Sequence, residues 1–184
     1  MWTESSVKGR ALICTSTSCG AAKSPRTGSY LAWMGSSNSE TAELRQTVTL
    51  PAGQPAYLSY WYQIDSADYC GYDYGYVRVL VNGTTTTLKT FRLCTTTKTT
   101  GWVGERLNLS TYAGRTVTLI FRARTDSSLV SSFFLDDTLL VNSNTCPLGA
   151  PVTDQVEMEQ PGEDIEPSMD AKPEPPAGME AAEQ

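Results

Sequence analysis

Apolar and polar residues alternate with a period of two through most of this chain, and no segment sustains a 3.6-residue period. Leu44, Val48 and Leu50 are interleaved with Glu43, Arg45, Thr47 and Thr49, and the run ends at the turn Pro51-Ala52-Gly53. Leu58, Tyr60, Tyr62 and Ile64 alternate with Tyr57, Ser59, Trp61 and Gln63. Val77, Val79 and Val81 run into Asn82-Gly83, two residues that tolerate positive φ and so close a tight hairpin. Thr84 to Leu93 is then the returning strand. Tyr30 to Met34, Trp102 to Leu109, Val117 to Ala123 and Phe133 to Val141 complete the pattern. About eight short strands separated by turns predict an all-β antiparallel β-sandwich, and the jelly roll is its natural eight-strand form.

After Cys146-Pro147 the alternation stops. Residues 153–184 hold ten acidic side chains, one base (Lys172) and no aromatic ring, too little apolar surface to offset chain entropy. The expected organisation is a sandwich over 1–146 and a disordered acidic tail or linker over 147–184. The net charge of −6 therefore belongs to the tail, because residues 1–152 hold thirteen Lys or Arg against ten Asp or Glu. The body's bases, among them Arg45, Arg78, Arg92, Arg106 and Arg115, are scattered singly along the sequence, which leaves no footprint for nucleic acid. No apolar run approaches the roughly 20 residues that span a bilayer, so membrane insertion is not expected.

The chain has no histidine. That removes Ser-His-Asp and Cys-His nucleophiles and the usual zinc sites. Carboxylates alone could in principle run a glycosidase, but no pair can be placed across one cleft from the sequence. No base accompanies any thiol. The expectation is a protein without catalytic activity. Of the five cysteines, Cys14 and Cys19 are separated only by turn-forming residues, while Cys70 and Cys94 flank the Asn82-Gly83 hairpin. Spacing predicts the bridges Cys14–Cys19 and Cys70–Cys94, with Cys146 left over or bonded outside the chain. Two bridges imply an oxidising, extracellular compartment. Met1-Trp2-Thr3-Glu4 does not open like a signal peptide, so an internal piece of a longer secreted protein is expected.

Several strings, in this order, resemble the MAM-like jelly-roll modules of bacterial secreted and cell-surface proteins, which accompany immune inhibitor A-like and subtilisin-like peptidases. They are Trp2-Thr3-Glu4-Ser5-Ser6, Pro25 to Trp33, Cys70-Gly71-Tyr72-Asp73-Tyr74, Gly101-Trp102-Val103, Leu109 to Val117, Thr125-Asp126-Ser127-Ser128 and Phe133-Phe134-Leu135-Asp136-Asp137. The resemblance covers about residues 1–142 and implies an accessory or adhesion module beside neighbouring domains. Family members usually begin with a short strand carrying Phe-Glu, which has no counterpart here, and Thr138 stands where a branched aliphatic residue is usual.

The resemblance also implies a structural calcium ion between the last strand and the loop after Trp33. Asp136 and Asp137 would contribute from the strand, and Asn38, Glu40 and Glu43 from the loop. Adjacent strand residues point to opposite faces, so the other reading has one aspartate turned inward and hydrogen-bonded to a neighbouring loop, without metal. Asp65, Asp68 and Asp73 around Cys70 fit no EF-hand spacing and read as a solvated, disulfide-pinned loop. Tyr60, Tyr62 and Trp33 read as core. Tyr69, Tyr72, Asp73 and Tyr74 are the candidates for contact with a glycan or an extracellular protein, since rings with polar tips suit sugar faces. A purely structural spacer is the remaining alternative.

Overall fold

A computed structural model describes residues 1–20 and 23–142. Ten strands form along it: β1 (Thr3–Ser6), β2 (Ile13–Cys14), β3 (Leu31–Gly35), β4 (Thr41–Thr49), β5 (Tyr57–Ser66), β6 (Tyr74–Val81), β7 (Thr84–Arg92), β8 (Val103–Asn108), β9 (Thr116–Arg124) and β10 (Ser131–Val141). They make two five-stranded antiparallel sheets. The front sheet runs β1-β4-β9-β6-β7 and the back sheet β2-β3-β10-β5-β8. The all-β sandwich expected from the alternation is the fold. The sequence pattern did not predict β1 and β2, because four and two residues are too few to show a period. Cys146 and the acidic tail lie outside the described residues.

The core forms where the inward residues of the sheets meet. Leu44 of β4, Val77 and Val79 of β6 and Leu119 and Phe121 of β9 face Met34 of β3, Leu58 and Tyr60 of β5 and Phe133 of β10. Tyr60 meets Phe121 edge-on with ring centroids 5.1 Å apart, and Phe91 packs on Phe133 at the same distance. Asn82 and Gly83 close the β6–β7 hairpin at φ 51° and 82°, the left-handed values a two-residue turn of this kind needs.

The back sheet is covered on its outer side as well. Phe134, Leu31 and the bridged Cys14 and Cys19 form a second buried cluster, with Trp33 and Trp102 packed against it. Trp33 therefore belongs to the outer face of the back sheet, stacked on Phe134 at 5.7 Å, and not to the central core. Its odd parity on β3, opposite to Ala32 and Met34, puts it there.

Candidate functional site

The second predicted bridge, Cys70–Cys94, joins the residues before β6 to those after β7. It pins the segment carrying the tyrosine candidates. Tyr69 is 71 % exposed, Tyr72 is half-buried, and Tyr74 is the first residue of β6.

Strand parity places Tyr74, Tyr76 and Arg78 on the outer side of the front sheet, opposite to Val77 and Val79. Their neighbours across the strands are fixed by register. Tyr74 faces Arg124 and Arg92, Tyr76 faces Arg122 and Thr90, and Arg122 faces Glu43. Arg78 and Arg45 both lie opposite Ile120. Arginines at 45, 78, 92, 122 and 124 thus share one sheet face with a single acid, Glu43. The sequence reading that the bases form no cluster is corrected here: antiparallel register collects residues that are far apart along the chain. Nothing in the linear order signals this, although strand parity plus a guess at pairing would have found it.

On this face Tyr74 and Tyr76 stack with centroids 6.1 Å apart and planes 22° off parallel. The Arg78 guanidinium sits over the Tyr76 ring at 4.4 Å. Glu43 is bonded to Arg45 Nε at 2.8 Å and lies 3.6 Å from Arg122 Nε. Away from the rings the face is a threonine lattice, in which Thr47 pairs with Thr118 and Thr49 with Thr116, each at 2.9 Å. On this polar face Tyr74 is half-buried, while Tyr76, 5 % exposed, lies beneath the Arg78 guanidinium.

The five residues named for calcium are not brought together. Asp136 and Asp137 lie where β10 bulges against β5, and Asp137 adopts φ 45°. The bulge cancels the expected divergence of adjacent carboxylates. Both turn to one loop: Arg26 N–H donates to Asp136 Oδ2 at 2.6 Å, and the Arg26 guanidinium and Thr27 hydroxyl donate to Asp137. Arg26 also covers the Trp61 ring at 3.8 Å. Burial raises the Asp136 pKa, and the Arg26 N–H opposes that shift. The Asp137 charge is met by the Arg26 guanidinium. Glu40 is buried and holds the end of β1, while Glu43 faces outward from the front sheet. Asn38 donates from Nδ2 to Ser127 O at 2.9 Å, which ties it to the β9–β10 connection. A groove of about 170 Å³ lined by Trp2, Ile13, Tyr30, Leu135, Asp136 and Asp137 opens beside the bulge, and its lining carries no arginine.

The Cys70 segment also departs from expectation. Asp68 and Asp73 are buried, at 1 % and 0 % exposure, not solvated. The chain folds inward there because Asp68 O accepts Thr95 N–H and Asp73 O accepts Leu93 N–H, each at 2.9 Å. Asp73 Oδ1 accepts Asp126 N–H at 2.7 Å, so this segment is bonded to the β9–β10 connection. Burial raises the Asp73 pKa to about 6; the Ser131 hydroxyl and Asp126 N–H oppose the shift, and the charges of Asp68 and Asp126 add to it. A carboxyl raised in the folded state loses stability as pH climbs from its unfolded value of about 4 towards 6, and the loss persists above that.

No family model matches the chain. Over 107 residues it is 34 % identical to the pre-pro-metalloprotease PrtV of Vibrio cholerae serotype O1, an alignment that covers 51 % of this chain and 11 % of PrtV. The chain thus spans about a tenth of that relative's length. Among solved structures, TmCBM61 in complex with β-1,4-galactotriose has a TM-score of 0.55 at 18 % identity, covering 77 % of this chain and 88 % of that one. The K1 cleaved adhesin domain of Lys-gingipain from Porphyromonas gingivalis W83 has a TM-score of 0.55 at 14 % identity, covering 77 % and 90 %. These likenesses establish the β-sandwich fold. Among the described residues no helix is long and apolar enough to cross a membrane.

Proposed function

We propose that this chain is a non-catalytic extracellular accessory module of a larger secreted or surface protein, and that it adheres to an acidic glycan through the outer face of its front sheet. The observation that carries the reading is the half-buried Tyr74 ring, backed by the buried Tyr76 and set among arginines 45, 78, 92, 122 and 124. Tyrosine rings lie against sugar C–H faces, and guanidinium forks match carboxylate and sulfate oxygens in pairs. Five arginines against one glutamate favour a polymer carrying such anions over a neutral one.

Two further features support an extracellular role. The chain has two disulfides, and it is similar to part of a pre-pro-metalloprotease. The resemblance to MAM-like modules belongs to the same reading. The likeness to TmCBM61 and the gingipain domain speaks for the fold alone.

The test is retention of the full chain on immobilised neutral and acidic polysaccharides. The expected result is retention on an acidic polymer, release by salt, and about a tenfold loss of affinity with Tyr74→Ala. Tyr69→Ala, on the loop, should change little. Retention on no polymer would favour a structural spacer or a protein partner.

A further inference from the structure

We propose that Asp68, Asp73 and Asp126 form a binding site for a divalent cation, calcium by its coordination chemistry, which fastens the end of the sandwich where the Cys70 segment meets the β9–β10 connection. The three residues each bring a carboxylate oxygen within 4.8 Å of the other two. Oxygens this close can share one cation at the roughly 2.3–2.6 Å that calcium takes. All the donors are hard oxygens, the chemistry calcium prefers over softer metals.

A cluster of acids by itself would mean little. Two observations point to a ligand. Asp73 is fully buried, yet its Oδ2 receives no hydrogen bond. The Ser131 hydroxyl beside this carboxyl also meets Leu93 O at 3.1 Å and Ser66 Oγ at 2.8 Å. A second buried oxygen without a donor, Asn38 Oδ1, sits on the loop whose Ser39 N–H binds Asp126 O. Leaving a carboxylate oxygen dry and unmet is costly, and a cation removes the cost together with the mutual repulsion of the three charges. Asp126 is only half-buried, so water and the ion have a way in. Asp65, the half-exposed acid of the segment, is held by Lys98 at 2.8 Å. The remaining ligands would be waters and carbonyl oxygens.

A cation here is independent of any glycan on the front face, and its test is separate. Thermal unfolding of the full chain is compared in millimolar calcium, in magnesium and in chelator. The expected result is a rise of roughly 5 °C with calcium over chelator and a smaller one with magnesium. Asp126→Asn and Asp73→Asn should each abolish the rise, and Asp137→Asn should keep it. Asp126→Asn, at the less buried position, decides the matter if Asp73→Asn fails to fold. Equal unfolding in calcium and chelator would overturn the proposal. So would a calcium rise that survives Asp126→Asn, or one that disappears in Asp137→Asn.

Discussion

Glu40 accepts the Ser6 hydroxyl and the Val7 N–H at 2.9 Å, with the Lys8 N–H at 3.4 Å, from a position almost without solvent. It caps the end of β1 and secures the crossing from that strand towards β2. Glu40→Ala leaves these donors unmet and should cost about 1–3 kcal/mol in urea unfolding, with no effect on glycan retention. Gly35 is a second residue with a task fixed by space. It has φ 78°, and a Cβ there would lie 2.5 Å from Ser131 O. Gly35→Ala should cost at least about 1–3 kcal/mol from its backbone conformation alone, read as a lower denaturant midpoint. Residue type announced oxygen donors at Glu40, Asp136 and Asp137, but direction did not follow from type. Glu40 turns to a backbone, and the two aspartates turn to Arg26, because a cap and a bulge are set by neighbours far along the chain.

At the scale of elements, the strands with five or more alternating residues were legible, and so was the Asn82-Gly83 hairpin. The short edge strands β1 and β2 were not, since they exist only by pairing with β4 and β3. The two disulfides followed from spacing because each joins segments that turns bring back together. Their energetic roles differ. The Cys70–Cys94 bridge closes a loop of 24 residues, which loop entropy values at about 3 kcal/mol, while the Cys14–Cys19 bridge closes 5 and is worth about 2 kcal/mol. Replacing Cys70 and Cys94 by serine should therefore lower stability more than replacing Cys14 and Cys19, as measured by chemical denaturation under non-reducing conditions. It should also weaken cation binding, because the bridge holds the segment that carries Asp68 and Asp73. The bulge in β10 was illegible, and it decides where Asp136 and Asp137 point.

The whole molecule has two unlike outer faces. The back sheet is roofed by the Cys14–Cys19 segment, Trp33, Phe134 and Trp102, whereas on the front sheet Arg45, Thr47, Thr49, Arg92 and Thr116 remain exposed. This asymmetry, with the arginine convergence produced by register, is why the front face is taken as the binding surface. A chain whose body is slightly basic and whose residues 153–184 are strongly acidic also repels acidic polymers through one part while attracting them through the other. Removing residues 153–184 should then strengthen retention on an acidic polysaccharide at low salt, with the gain vanishing at high salt. The central claim is the location of that contact. It is tested most directly by following backbone amide resonances of the full chain during titration with an acidic oligosaccharide. Shifts concentrated on β4, β9 and β6, centred on Tyr74, Tyr76 and Arg122, are the predicted result. Shifts confined to the Trp2–Tyr30 groove or to the Cys70 segment, with the front sheet unmoved, would contradict it.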